Sequence, residues 1–173
     1  SSQYRQSILQ KLHIPFDSLS PKIDESKIIG ETINEQVIRL AKQKAQAVAK
    51  SQTNQSYIIG SDQLACFNGQ ALGKPGNFIN AKQQLMMFSG QKVTFHTGLC
   101  VLRCSDKHTE QIVESFDVQF KVLTEKQITT YLTIEQPYDC AGSFKCEGLG
   151  IALFESLDGR DPNTLIGLPL MAL

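Results

Sequence analysis

The stretch from Asn34 to Lys50 constrains the fold of this chain more than any other segment. Its apolar side chains recur at helical spacing, which predicts an amphipathic helix with one buried face. The repeating positions are Val37, Ile38, Ala41, Ala45, Val48 and Ala49. The apolar run "SYIIG" that follows at 56–60 is short and bulky, as is typical of a buried strand. A helix followed so closely by a strand predicts a domain in which helices cover a sheet.

Other segments extend this pattern along the chain. Two runs rich in β-branched and aromatic residues, "VTFHTGLCVLRC" and "EQIVESFDVQFKVL", predict a long hairpin, and Asn68-Gly69 predicts a tight turn. "GIALFESLDG" predicts a further strand. Helices are predicted at about 4–12 and at about 79–88. A third begins at a capping box formed by Thr124 and Gln127 and ends at about 133, and a last one begins at Pro162. The fold class predicted is α/β (mixed α+β), with a mixed sheet.

Composition narrows the class of protein. The 173 residues include 17 Lys and Arg against 17 Asp and Glu, so the formal net charge is zero. Because a surface for polymeric nucleic acid needs a basic excess, we expect no nucleic-acid partner. Five cysteines without a C-x-x-C pair predict reduced thiols in a cytoplasmic protein. No apolar run reaches transmembrane length, so no membrane partner is expected.

Several well-known catalytic motifs are absent from the sequence. It contains no G-x-x-x-x-G-K-[ST] phosphate loop, no G-x-G-x-x-G and no G-x-S-x-G nucleophile turn. The histidines His13, His96 and His108 are scattered and lack metal-ligand spacing. Nothing in the sequence therefore supports nucleophilic Ser or Cys catalysis or a histidine-based metal site.

Three charged residues are candidates for a functional site, two of them beyond the end of a predicted element and one on the long helix. Asp62 follows the predicted strand, where loops commonly present catalytic groups, although a turn or cap aspartate fits this segment equally well. Lys74 in "GKP" precedes a proline and so lies outside a helix; it is either solvated or functional. Lys44 lies near the apolar edge of the long helix, where a snorkelling lysine is an alternative.

Two further positions suggest how anions and cations would be bound. Glu25, beside Asp24, offers hard oxygen ligands that suit Mg²⁺ or Mn²⁺, but such a pair is usually an exposed turn. Arg5 lies in the first turn of a predicted helix, where unpaired backbone N–H groups already favour an anion. Residue types and spacing are therefore compatible with metal-assisted phosphate chemistry, and by themselves they do not identify the reaction.

Seven segments taken together resemble the Maf family of nucleoside triphosphate pyrophosphatases. They occur in the family's order, cover nearly the whole chain, and read "SSQYRQSIL", "IDES", "RLAKQKAQAVA", "IIGSDQ", "GKP", "FSGQKVTFHTGL" and "CAGSFKCEGLGIALFESLDGRDPNTLIGLPL". Gln63 after the aspartate, with Glu147 in "FKCEG", resembles the subgroup acting on 7-methyl-GTP; the dTTP/UTP subgroup has Thr and Gln there. The resemblance implies one Maf-like domain over residues 1–173, with a Maf/ITPase-like mixed twisted sheet, flanking helices and a central cleft between two lobes.

The resemblance also implies a reaction and a set of site residues. The reaction is hydrolysis of the α–β phosphoanhydride of 7-methyl-GTP to 7-methyl-GMP and pyrophosphate with a divalent cation, Mg²⁺ or Mn²⁺. Asp62 corresponds to the proton acceptor and would also touch the metal, and Glu25 corresponds to the acidic position near the metal. The positions that correspond to the phosphate site are Ser2, Arg5, Lys44 and Lys74. Those that correspond to the base pocket are Tyr4, where close relatives would have Trp, Gln63 and Glu147.

Two other functions stay open at this point. One is a broader pyrophosphatase acting on dTTP, UTP or other modified triphosphates. The other is a nucleotide-binding regulator of cell division without useful turnover. A homodimer is an expectation from the family alone. Compared with the family, the chain lacks a first strand ahead of Ser1 and the end of the last helix, and we expect this to reflect trimming.

Overall fold

A computed structural model describes residues 2–173 and contains five α-helices and five strands within them. The helices are α1 (Gln3–Gln10), α2 (Ile33–Ala49), α3 (Phe78–Phe88), α4 (Glu125–Glu135) and α5 (Pro162–Ile166). The strands are β1 (Tyr57–Phe67), β2 (Gln70–Leu72), β3 (Lys92–Arg103), β4 (Thr109–Phe120) and β5 (Phe154–Asp158). The predicted fold class, helices flanking a sheet in an α/β domain, is confirmed.

The strands form one antiparallel sheet in the order β2-β1-β3-β4-β5, so the expectation of a mixed sheet is wrong. The predicted turn at Asn68-Gly69 joins β1 to β2, with φ values of 49° and 76° that suit Asn and Gly. The predicted long hairpin is β3–β4. The predicted strand "GIALFESLDG" is only half correct, because Leu149–Leu153 forms a 3₁₀ turn in which the Ile151 N–H bonds Gly148 O. Only Phe154–Asp158 pairs with β4.

Contacts divide the chain into two compact units. Unit 1 comprises residues 1–63, 96–114 and 161–173, and unit 2 comprises residues 64–95 and 115–160. The prediction of one domain over residues 1–173 stays a prediction.

In unit 1, α2 packs unusually close to the sheet. Thr32 and Glu35 begin the helix with a reciprocal capping box. A Cβ on Gly60 of β1 would lie 2.2 Å from Ala41 O, and one on Gly98 of β3 would lie 2.4 Å from Val37 O. The two glycines therefore allow backbone-to-backbone approach, and this brings the next turn of α2 to the strand position that carries Asp62. The buried hydrophobic residues around this contact are Ala41, Ala45, Ile58, Cys100, Leu102 and Cys104.

Unit 2 is built around aromatic rings. Phe120 contacts the rings of Phe88, Phe144 and Phe154 at centroid distances of 5.3, 5.8 and 5.2 Å. The Phe144 and Phe154 rings are 4.8 Å apart with edge-to-face geometry, which aromatic pairs prefer. The Thr124/Gln127 capping box predicted from the sequence is present at the start of α4. The ring contacts of Phe144 fix the chain just before the segment that carries Glu147.

Two further expectations can be compared with the structure. All five cysteines, which fall within residues 2–173, are free thiols, and Cys100 and Cys104 are buried. Within the same residues, no helix has the length and apolarity that crossing a membrane requires.

Candidate active site

Asp62 is the centre of a small charged cluster in unit 1. It lies on β1 and is 7% exposed. Lys44 Nζ, from the α2 face that approaches β1, donates to Asp62 Oδ1 at 2.6 Å. The same ammonium lies 2.9 Å from Glu25 Oε1. Two predicted acidic residues and one predicted basic residue, from three separate segments, therefore meet at one point.

Arg5 completes this cluster from α1. Its Nε donates to Gly167 O at 2.8 Å and its Nη1 to Ser61 O at 3.0 Å. Burial lowers the pKa of Arg5 below its ordinary value, while the negative charges of Asp62 and Glu25 act in the opposite direction. Arg5 thus places positive charge close to both carboxylates and also joins β1 to the segment that follows α5.

Gln63 takes a different orientation from Asp62, because neighbouring side chains on a strand point to opposite faces. Its Nε2 donates to Thr97 Oγ1 at 3.0 Å, Thr164 O at 2.8 Å and Leu165 O at 3.2 Å. Two of these acceptors are backbone carbonyls, so they fix which end of the amide is the nitrogen. Gln63 therefore ties β1 to α5, a role that sequence reasoning did not predict.

A divalent cation was expected here, and the donor chemistry fits one. Asp62 and Glu25 both direct a carboxylate oxygen at the same positive group, the Lys44 ammonium. Magnesium is commonly held by one or two carboxylates together with substrate phosphates. Within residues 2–173 no group of three or more His, Cys, Asp or Glu side chains is arranged to hold a metal. The residues of this cluster that could hold such a cation are Asp62 and Glu25.

Sequence reasoning also missed the residues that hold the Glu25 loop. Arg39 on α2 pairs with both carboxylate oxygens of Glu31, at 2.5 and 2.7 Å. Its Nη2 also donates to Ser26 O at 3.1 Å. The hydrogen bond from Arg39 lowers the pKa of Glu31. The i, i+4 spacing of Glu35 and Arg39 could have pointed to a charged face, but not to a partner in the preceding loop.

The remaining predicted residues are distributed over both units. In unit 1, Ser2 is the N-cap of α1 without a side-chain capping bond, and Tyr4 lies in the first turn of that helix. In unit 2, Lys74 is exposed in the loop between β2 and α3. That loop is held by Gln84, whose Nε2 donates to Gly73 O at 3.1 Å. Glu147, also in unit 2, is exposed on the segment that follows Phe144.

Comparison with known proteins shows the family to which the chain belongs. The family model described as "Maf-like protein" matches residues 1–173. A 7-methyl-GTP pyrophosphatase of Pseudoalteromonas atlantica is 58% identical over 173 residues, covering 100% of this chain and 88% of that protein. Proteins of the same name from Pseudoalteromonas translucida and Idiomarina loihiensis are 54% and 53% identical, covering 100% and 99% of this chain and 85% and 87% of their own lengths. The chain belongs to the Maf-like protein family.

Proposed function

We propose that this chain is a nucleoside triphosphate pyrophosphatase that hydrolyses the α–β phosphoanhydride of 7-methyl-GTP. The products are 7-methyl-GMP and pyrophosphate, and the role is removal of modified nucleotides in the cytoplasm. One observation carries the proposal: Asp62, nearly buried on β1, contacts Lys44 in a chain that is 58% identical to a protein named 7-methyl-GTP pyrophosphatase.

Asp62 is the proposed proton acceptor. Its Oδ1 accepts from Lys44, and its Oδ2 has no partner among residues 2–173. Oδ2 would take a proton from the water that attacks phosphorus, and the bridging oxygen would leave with pyrophosphate. A positioned carboxylate of this kind contributes by general base catalysis and by orienting the water.

Lys44, Arg5 and Lys74 are the proposed phosphate ligands, with Ser2 beside them at the start of α1. Lys44 is held by two carboxylates and keeps one N–H for a phosphate oxygen. Arg5 donates from Nε and from one N–H of Nη1 to backbone carbonyls, so the second N–H of Nη1 and both N–H groups of Nη2 are left for a ligand. Positive groups held in place in this way stabilise the charge that develops on the leaving pyrophosphate.

Asp62 and Glu25 are the residues that would hold a divalent cation. When bound, Mg²⁺ or Mn²⁺ would neutralise phosphate charge and make a nearby water more acidic, which matters because a carboxylate is a weak base at neutral pH. Lys44 already balances both carboxylates.

The base would be recognised by Glu147, Tyr4 and Gln63. The Glu147 carboxylate can accept from the guanine N1–H and the exocyclic amine. The ring of Tyr4 offers a π face to the positively charged methylated base. Because Gln63 Nε2 is engaged by α5, the contribution of this residue would come through Oε1.

The test is a screen of pyrophosphate release from 7-methyl-GTP, GTP, dTTP and UTP, with Mg²⁺ or Mn²⁺ and with a chelator. We expect the highest kcat/KM for 7-methyl-GTP and loss of turnover with chelator. Preference for dTTP or UTP would replace the proposal with a broader pyrophosphatase. Tight binding of 7-methyl-GTP without turnover would point instead to a nucleotide-binding regulator.

A further inference from the structure

The segment that carries Glu147 is held at both ends by α4. On one side of Glu147, the Lys145 N–H donates to Tyr131 Oη at 3.0 Å. On the other side, the Leu149 N–H donates to Glu135 Oε1 at 2.7 Å. Tyr131 and Glu135 are four residues apart on α4, so their side chains lie on the same face of the helix. An exposed carboxylate is therefore flanked by two anchored backbone positions.

Glu135 contacts this segment in more than one way. Lys145 Nζ donates to Glu135 O at 2.9 Å and lies 3.9 Å from Glu135 Oε2. A Cβ on Gly148 would be 2.7 Å from Glu135 Oε1, so the backbone passes directly against the carboxylate. The side chain of Glu135 is only 20% exposed and Tyr131 only 2%. Both anchors are thus fixed by packing as well as by hydrogen bonds.

The backbone between the anchors has little freedom of its own. Gly148 N–H donates to Lys145 O at 3.3 Å, and a Cβ on Gly150 would lie 2.3 Å from the same oxygen. The Cys146 thiol donates to Glu147 Oε2 at 3.5 Å. Burial raises the pKa of Cys146 to about 12, so the thiol stays protonated as a donor. The Cys146 thiol is therefore a weak donor to the Glu147 carboxylate, and the backbone on both sides of Glu147 is anchored.

We infer that Tyr131 and Glu135 are positioning residues that set the base selectivity of the enzyme by fixing the backbone on both sides of Glu147. The inference rests on the proposed function, in which Glu147 accepts hydrogen bonds from the N–H groups of guanine. A polar group discriminates between bases only if it is held where the correct base can pair with it and the wrong base leaves it unpaired. When an anchor is lost, the segment must become ordered as the nucleotide binds. The free energy of this ordering weakens the binding of the nucleotide whose base Glu147 recognises.

The test compares kcat/KM for 7-methyl-GTP with kcat/KM for dTTP in Glu135→Ala, Glu135→Gln and Tyr131→Phe. Glu135→Ala and Tyr131→Phe each remove one backbone acceptor and should lower this ratio about tenfold, through KM for 7-methyl-GTP rather than kcat. Glu135→Gln keeps an amide oxygen for Leu149 N–H and should retain a ratio near that of wild type. Glu125→Ala, at an exposed glutamate on the same helix, is the matched control and should leave the ratio unchanged.

Amide hydrogen exchange provides a second readout that does not depend on turnover. The Leu149 amide should exchange faster in Glu135→Ala and the Lys145 amide faster in Tyr131→Phe. If Glu135→Ala does not fold, the nearly isosteric Tyr131→Phe carries the test. If wild type turns over and Glu135→Ala and Tyr131→Phe keep the wild-type ratio of kcat/KM values, the positioning role is wrong while the proposed function stands. A wild-type protein that releases no pyrophosphate from any triphosphate would overturn the proposed function, and the selectivity role with it.

Discussion

At the scale of single residues, two buried aspartates of unit 1 are stabilised in different ways. Asp62 is balanced by the ammonium of Lys44. Asp161 is fully buried and instead accepts three N–H groups: Asn163 N and Nδ2 at Oδ1, and Met171 N at Oδ2, each at 2.8 Å. A carboxylate bonded mainly to backbone is expected to support structure, whereas one paired with a lysine side chain can change partner during a reaction.

The structural role of Asp161 gives a prediction about stability and pH. Burial alone would raise the pKa of Asp161, but hydrogen bonds from the N–H groups of Met171 and Asn163 hold it below its ordinary value of 3.8. The stabilisation is therefore present above pH 3.8 and is lost as the pH falls through the lower pKa of the folded state.

We expect Asp161→Asn to lower the free energy of unfolding at pH 7 by about 2 kcal/mol. The NH₂ group of the new asparagine would face a backbone N–H, so two donors would meet and neither would have an acceptor. Urea unfolding of wild type, Asp161→Asn and the exposed control Asp158→Asn between pH 3 and 7 measures this. Equal stability of Asp161→Asn and wild type across that range would contradict the assignment.

At the scale of elements, the close packing of α2 on the sheet brings Lys44 to Asp62. A methyl group on Gly60 would meet the backbone of α2 at Ala41 O, 2.2 Å away, and at Ala45 N, 3.0 Å away. Because these are backbone atoms, the helix itself must shift rather than a side chain.

Gly60→Ala should therefore lower the free energy of unfolding by about 1–3 kcal/mol, the usual cost of overpacking. It should also reduce turnover, because Lys44 moves with the helix. Gly73→Ala is the matched control, since a Cβ there meets nothing within 4 Å. Denaturant unfolding of both variants is the measurement, and a Gly60→Ala protein as stable as the control would refute the packing argument.

Elements whose signals are local could be predicted from the sequence. The apolar period of α2, the capping box of α4 and the Asn68-Gly69 turn each lie within a single helix or turn. The break between Leu149–Leu153 and β5 was missed because it depends on contacts of Gly148 and Gly150, not on apolar pattern.

The candidate site was predictable only in part. The resemblance supplied the site residues, and the structure brings Arg5, Glu25, Lys44 and Asp62 into one cluster. The role of Gln63 could not be read locally, because its partner Thr164 lies 101 positions further along the chain. The anchors of Glu147 were missed for a similar reason: Tyr131 and Lys145 are 14 positions apart. Contacts between distant segments depend on tertiary packing, which local periodicity does not encode.

At the scale of the whole molecule, the balance of charge bears on how a triphosphate would bind. The chain has 17 basic and 17 acidic residues, and the cluster around Asp62 is also balanced, with Arg5 and Lys44 against Asp62 and Glu25. Neither the net charge nor this cluster offers an excess of positive charge to a polyanion. A divalent cation arriving with the nucleotide would supply it, which is why the proposed function includes one.

The proposed reaction and the role of Asp62 are tested together by product analysis of 7-methyl-GTP incubated with wild type and with Asp62→Asn in the presence of Mg²⁺ or Mn²⁺. Wild type should form 7-methyl-GMP and pyrophosphate in equal amounts. Asp62→Asn should bind the nucleotide but turn it over about 10²–10⁴-fold more slowly, the usual contribution of a general base. Formation of 7-methyl-GDP and phosphate by wild type, or a near-normal rate for Asp62→Asn, would contradict the account.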